Sequence, residues 1–183
     1  MNAVDTTQAG RSLPTGTWRL DPVHSSIGFE VAYMVGTFRG SFREVDGTLI
    51  VDENGAALTG TARVASVDVK DENLAAHLTS PEFFDAERHP ELRFSSTEIG
   101  GSGELAVRGE ITIKGVTRPV ELTGTATAPT TDPYGNERVG LELTTTVDRT
   151  DFGLDWNVPL PSGEPALANE VTLVAELYFV KEA

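Results

Sequence analysis

Three residues near the start of the chain have the types used in hydrolytic catalysis. Asp21, His24 and Ser25 lie within five positions of one another, and a serine activated by a histidine and an acid is a familiar nucleophile. Successive side chains of a β-strand point to opposite faces, however, and the chain has no G-x-S-x-G turn to expose a nucleophile. A hydrogen-bonded histidine that fixes the first hairpin is the simpler interpretation, and we predict no catalytic residues.

The histidines of the chain do not have the spacing of a metal site. His24, His77 and His89 are the only ones, no two are four residues apart, and there is no cysteine. A metal site would therefore need carboxylates brought in by the fold. We expect no metal and no cofactor, and His77 is a candidate for contact with the polar end of a ligand.

Two further groups of residues could do chemistry but have simpler interpretations. Arg149, Asp151 and Asp155 are close in the chain, yet two carboxylates share acid–base work only if the fold brings them together. We predict that Arg149 and Asp151 form an ion pair in a turn. The segment Gly100-Gly101-Ser102-Gly103 precedes a predicted strand, whereas a phosphate cradle needs a following helix. It is predicted to be a hairpin turn.

The composition excludes some classes of protein. The 183 residues include 28 acidic and 14 basic residues, a formal charge of −14, and such a surface disfavours nucleic acids. No apolar stretch approaches the roughly 18 residues of a membrane span, so we expect no stable membrane insertion. Residues 1–16 lack a basic start followed by an apolar run, which predicts a cytoplasmic protein. Residues 1–15 are polar and are predicted to be a flexible arm before a domain at 16–183.

Most of the chain alternates between apolar and polar residues. Leu105, Val107, Ile111 and Ile113, for example, alternate with polar side chains, as in a strand with one buried face. Glycine-, proline- and asparagine-rich turns separate such runs and predict an antiparallel meander. The predicted strands are 17–20 with 25–34, 36–51, 57–69, 91–99, 103–114, 118–128, 137–148 and 170–181.

One segment has a helical pattern instead. Residues 71–78 have acidic residues first and apolar residues at helical spacing, and Pro81 follows. The sequence thus predicts an all-β fold of eight antiparallel strands with a short helix between strands three and four. Strands of this length favour a closed barrel, because closure removes unpaired edges. Alternation alone leaves open whether the interior is packed or hollow.

Five motifs, in order along the chain, resemble those of the YceI-like family. The resemblance covers roughly residues 16–182, although this chain has Tyr33 where the family often has a histidine. The motifs are WRLDPVHSSIGF at 18–29, FRGSF at 38–42, HLTSPEFFD at 77–85 followed by His89-Pro90 and Phe94-Ser95-Ser96, GEITIKGVTRP at 109–119 and RTDFG at 149–153.

The resemblance implies a lipocalin-like barrel that binds a long-chain isoprenoid lipid, a polyprenyl chain or an isoprenoid quinone, often as a homodimer. Phe83 and Phe84 would line the mouth or anchor the helix. Trp156 and Leu160, in a loop at 153–168, would lie at the rim. The alternation and the motifs together give these candidate ligand contacts: Phe29, Val31, Tyr33, Phe42, His77, Leu78, Phe83, Phe84, Phe94, Ile111, Ile113, Leu141, Leu143, Arg149, Trp156, Leu173 and Leu177. The alternatives are an enzyme acting on a hydrophobic small molecule and a packed structural or stress-response barrel.

Overall fold

A computed structural model of the protein describes residues 13–101 and 104–183. Most of the predicted N-terminal arm, residues 1–12, lies outside these ranges. Leu13 is buried, and the carbonyl of Pro14 accepts a hydrogen bond from Nε1 of Trp18 at 3.0 Å. The packed part of the chain therefore begins no later than Leu13.

Eight strand paths form a closed antiparallel β-barrel, which confirms the predicted fold class. The strands are β1 (Gly16–Leu20), β2 (Ser26–Tyr33), β3 (Gly36–Phe42), β4 (Val45–Asp52), β5 (Gly55–Arg63), β6 (Val67–Asp68), β7 (Glu91–Gly100), β8 (Leu105–Ile113), β9 (Val116–Ala126), β10 (Thr130–Thr131), β11 (Glu137–Asp148) and β12 (Leu167–Lys181). Four of the eight paths are interrupted, because β1 continues as β2, β3 as β4, β5 as β6 and β9 as β10. Short 3₁₀ helices occur at Val64–Ser66 and Arg149–Phe152.

The long strand β12 closes the ring. It pairs with β11 along one edge, from Arg138↔Val180 to Asp148↔Glu170. Along the other edge it pairs first with β2 and then with β1. The ring is less complete between β9 and β11, which pair only over residues 123–126 and 141–144. The barrel is therefore tightly joined at one end and looser at the other.

The tightly joined end, which we call the packed end, is filled by side chains. Trp18, Leu49, Val107 and Phe179 are fully buried there. Their strands meet in register, since Trp18 lies opposite Leu49 and Phe179 lies opposite Val139. The buried set at this end consists of Trp18, Leu49, Val51, Leu105, Val107, Val139, Leu141 and Phe179. Close packing of this kind supplies most of the favourable burial in a domain.

The one α-helix in the described residues lies across the other end, which we call the helix end. Helix α1 (Glu72–Thr79) is where the sequence predicts it, between the third and fourth strand paths. The carboxylate of Asp71 accepts hydrogen bonds from the backbone N–H groups of Asn73 and Leu74, at 2.8 and 3.0 Å. This N-cap satisfies two donors that a helix start leaves unpaired. Leu78 is buried and fixes α1 on the barrel.

Two carboxylates on the outer surface share one arginine. Arg138 donates from Nη1 to Asp21 at 2.8 Å and from Nε to Asp132 at 2.7 Å. Burial opposes the charged form of Asp21, but hydrogen bonds to Arg138 and His24 outweigh it and lower its pKa from 3.8 to about 2. The hydrogen bond from Arg138 likewise lowers the pKa of Asp132 to about 2.

We expect the substitution Arg138→Met to change how stability depends on pH. Because folding lowers both carboxyl pKa values, the two carboxylates stabilise the folded protein above about pH 4. Their contribution to stability is lost as the pH falls towards 2. Without Arg138 the two pKa values rise, so the variant is less stable at pH 7 and loses less between pH 4 and 2. Thermal unfolding midpoints from pH 7 to 2 measure this. Arg43→Met, which removes the exposed ion pair with Asp68, is the control, and parallel profiles for Arg138→Met and wild type would contradict the prediction.

Candidate functional site

The helix end of the barrel is hollow. A cavity of about 470 Å³ lies between the sheet, α1 and the segment that follows β11. This volume is within the range of about 300–1,000 Å³ for small-molecule sites. Phe179 and Leu20 border it on the side of the packed end, and Leu74 and Leu78 of α1 border it on the other side. The interior of the barrel is thus packed at one end and hollow at the other.

Four phenylalanines form one wall of the cavity. Phe29 of β2 packs against Phe38 and Phe42 of β3, with ring centroids 5.9 and 6.0 Å apart. Phe84, which follows α1, lies 6.2 Å from Phe29 and 5.8 Å from Phe42. Phe29 faces Gly40 across the strand pair, and a Cβ on Gly40 would lie 2.5 Å from the Phe29 ring. The glycine therefore leaves space for this ring in the wall.

A second aromatic cluster joins α1 to the crossing loop, residues 153–166. The ring of His77 lies 4.9 Å from both Phe83 and Trp156, edge-on to each, and Phe83 lies 5.4 Å from Trp156. Nε2 of His77 is 2.7 Å from Oε2 of Glu82, which fixes the orientation of the imidazole. His77 and Trp156 are only partly buried and both border the cavity. They therefore lie where the cavity meets the surface.

Arg149 is the buried cation of the site. It is 6% exposed and borders the cavity at the helix end. Its Nε donates to the carbonyl of Ala168 at 2.8 Å, and its Nη1 donates to the carbonyl of Leu154 at 2.6 Å. Burial lowers the pKa of Arg149, against the attraction of Asp148 and Asp155. A guanidinium nevertheless remains charged in proteins.

The ion pair predicted between Arg149 and Asp151 is wrong. Within the described ranges, no carboxylate lies within 4 Å of Arg149. Asp151 is exposed, and its backbone carbonyl accepts a hydrogen bond from Nε of Arg118 at 3.2 Å. The two side chains separate because the 3₁₀ helix at 149–152 turns Arg149 inward and leaves Asp151 in solvent.

The structure brings nearly all the candidate ligand contacts together around the cavity. Leu141 is the exception. It belongs to the packed end and lies two residues before Leu143 on β11. Its side chain is 1% exposed, and its strand partner on β12 is Leu177. Leu160 does not border the cavity either. The candidates that do border it are Phe29, Val31, Tyr33, Phe42, His77, Leu78, Phe83, Phe84, Phe94, Ile111, Ile113, Leu143, Arg149, Trp156, Leu173 and Leu177.

The residues that suggested hydrolytic catalysis lie away from the cavity. Nδ1 of the exposed His24 is 2.7 Å from Oδ2 of Asp21, as expected for a histidine that fixes the hairpin. Ser25 makes a different contact, since its hydroxyl accepts a hydrogen bond from the backbone N–H of Tyr178 at 3.0 Å. These residues border the β1–β2 bend and form no nucleophile–base pair.

In residues 13–101 and 104–183, no group of three or more His, Asp or Glu side chains is arranged to hold a metal ion. No α-helix in the same residues combines the length and the apolar character that a membrane crossing requires.

Comparison with known proteins identifies the family. The model of the YceI-like domain matches residues 18–179, almost the whole barrel. The chain belongs to the YceI-like family. A UPF0312 protein of Photorhabdus laumondii is 32% identical over 158 residues, which are 84% of this chain and 82% of that protein. A UPF0312 protein of Pseudomonas putida is 32% identical over 141 residues, 72% of this chain and 71% of that one.

Solved structures share this YceI-like fold. BcnA of Burkholderia cenocepacia superposes with a TM-score of 0.74 at 21% identity, over 87% of this chain and 98% of that one. A polyisoprenoid binding domain from Saccharophagus degradans, implicated in plant cell wall breakdown, superposes with a TM-score of 0.66 at 11% identity, over 90% and 98% of the two chains. These likenesses support the barrel architecture.

The YceI-like motifs occupy defined places around the cavity. The motif at 77–85 forms the end of α1 and supplies Phe83 and Phe84 to the two aromatic clusters. The motif at 109–119 is the β8–β9 hairpin, where Lys114 donates to the carbonyl of Pro81 at 2.7 Å and so ties the hairpin to the turn after α1. The motif at 149–153 is the 3₁₀ helix that carries Arg149.

Some residues that border the cavity are not among the contacts predicted from the sequence. Phe38 lies four positions before Phe42 on the same strand face, so the alternation could have found it. Phe152 and Leu154 lie in and after a 3₁₀ helix, where no period of two exists. The motif at 149–153 contains Phe152 but ends before Leu154, so it was a signal for Phe152 alone.

Proposed function

We propose that this YceI-like barrel binds a long-chain isoprenoid lipid, a polyprenyl chain or an isoprenoid quinone, inside its cavity and without covalent chemistry. The observation that carries the proposal is the cavity itself, a space of about 470 Å³ bordered mainly by aliphatic and phenylalanine side chains. A water-filled cavity with such walls is unfavourable, whereas each buried CH₂ group of a lipid contributes about 0.8 kcal/mol. A few five-carbon units would therefore give useful affinity.

The polar groups of the cavity support a fixed orientation of the lipid. Arg149, His77 and Trp156 border the helix end, while Leu20, Leu177 and Phe179 border the side next to the packed end. A chain that entered head-last would place its apolar tail against these three and its head near Arg149 and His77.

The two tryptophans make binding measurable. Trp156 borders the cavity, whereas Trp18 is fully buried at the packed end. We expect titration with geranylgeraniol to change tryptophan emission in the wild type, because the lipid replaces water beside the Trp156 indole. The response should disappear in Trp156→Phe and persist in Trp18→Phe, the matched control.

Direct extraction tests which lipid is bound. Protein purified from its own host and extracted with organic solvent should yield a prenyl-chain lipid by mass spectrometry. Repeated lipid-free extracts, together with no emission change in the titration, would contradict the proposed function.

A further inference from the structure

The guanidinium of Arg149 has one amino group without an acceptor. Its Nη2 is buried and makes no hydrogen bond to any residue in 13–101 or 104–183, although Nε and Nη1 are both bonded to backbone carbonyls. Leaving a buried charged donor unpaired is costly, so such groups normally have partners. The structure therefore has an unused donor at the border of the cavity.

The charge of Arg149 is also not neutralised by direct contact. Asp148, the preceding residue, uses Oδ1 to accept from the N–H and hydroxyl of Thr150 at 2.9 and 2.6 Å. Asp155 is exposed, and among the described residues it makes no ion pair with Arg149 within 4 Å. A buried cation beside an apolar space is most stable when an anion is brought to it.

The other charged residues that border the cavity do not compete for this role. Arg93 is exposed and is 3.2 Å from Glu91. Asp46 is exposed, and its Oδ1 accepts from the N–H of Gly47 at 2.8 Å. His77 is bound to Glu82. Among the described residues, Arg149 is thus the one buried arginine or lysine at the cavity, and its free donor lies at the helix end.

We propose that Arg149 binds an anionic head group, a carboxylate or a phosphate, of a lipid whose chain fills the cavity towards the packed end. This inference rests on the proposed function and adds the chemistry of the head. Nη2 has almost no accessible surface, so the head group reaches it as neighbouring side chains shift, a common adjustment on binding. A hydrogen bond between a guanidinium and an anionic oxygen is stronger than one to a neutral acceptor.

Four C20 probes test the head group. We expect geranylgeranyl phosphate and geranylgeranoic acid to bind the wild type about tenfold or more tightly than geranylgeraniol or a benzoquinone with the same prenyl chain. The two acids distinguish a phosphate site from a carboxylate site. In Arg149→Met the preference should vanish while geranylgeraniol still binds.

The control is Arg118→Met. Arg118, like Arg149, donates to a backbone carbonyl, here that of Asp151, but it is exposed and does not border the cavity, so this variant should keep the preference. If Arg149→Met does not fold, the wild-type ratio of acid to alcohol affinity decides alone. Equal affinity for all four probes would overturn the role of Arg149 and leave the proposed function standing. Binding of none of them would overturn both.

Discussion

Replacing Ala175 with phenylalanine should reduce the affinity for a prenyl lipid by at least about tenfold. Ala175 lies on β12 between Leu143 of β11 and Ile27 of β2, and it borders the cavity. A phenyl ring at this position would occupy space that the lipid chain needs. Excluding only two CH₂ groups costs about 1.6 kcal/mol, which is roughly tenfold in affinity. Tryptophan emission titrated with geranylgeraniol measures the loss.

The neighbouring position supplies the control for this substitution. Glu176 is exposed on the outer face of the same strand, so Glu176→Phe adds the same ring outside the cavity and should leave the affinity unchanged. Ala175→Phe should also keep a wild-type unfolding midpoint or raise it, because the ring enters empty space. Unchanged lipid affinity in a folded Ala175→Phe protein would show that the chain does not occupy this cavity.

Shortening leucines at the two ends should have unequal effects on stability. Leu141 is 1% exposed in the packed end, so Leu141→Ala should lower the free energy of unfolding by about 2–5 kcal/mol through lost burial and a new cavity. Leu173 is half-buried and borders a space that already exists. Leu173→Ala should therefore cost only about 1 kcal/mol, since its side chain has fewer packing partners to lose. Urea unfolding with linear extrapolation measures both.

The effects of the two substitutions on lipid affinity should have the reverse order. Leu173→Ala changes the wall that meets the ligand and should alter the affinity for geranylgeraniol, whereas Leu141→Ala should not. Equal destabilisation by the two substitutions would mean that the helix end is as tightly packed as the packed end. Paired measurements on the same preparations make the contrast independent of absolute stability.

Much of the fold could be predicted from the sequence because strands with one buried face alternate strictly. The runs at Leu105–Ile113 and Glu137–Asp148 lie where the alternation places them, and α1 lies where the pattern changes. Interruptions such as the 3₁₀ helix at Val64–Ser66 were not predicted, because a brief change of backbone geometry leaves the apolar residues in place. Alternation reports which side of a strand is buried and contains no information on what buries it.

That limit explains the errors at the candidate site. Leu141 and Leu143 are both leucines on the same face of β11. Leu141 is nevertheless in the packed end, whereas Leu143 borders the cavity. The difference depends on how far each lies from the end of the barrel, which a local pattern does not contain. The nearness of Asp151 in the sequence predicts an ion pair with Arg149 that the structure does not contain. The inward direction of Arg149 depends on the 3₁₀ geometry and on the carbonyls of Ala168 and Leu154, which no local motif specifies.

The buried side chains of the packed end, which include Trp18 and Phe179, give the barrel a source of stability that is separate from most of the cavity wall. Their contacts are complete without any lipid, so the free energy that holds the strands together does not depend on occupancy. If the proposed lipid binding is correct, the protein should therefore stay folded when it releases the lipid.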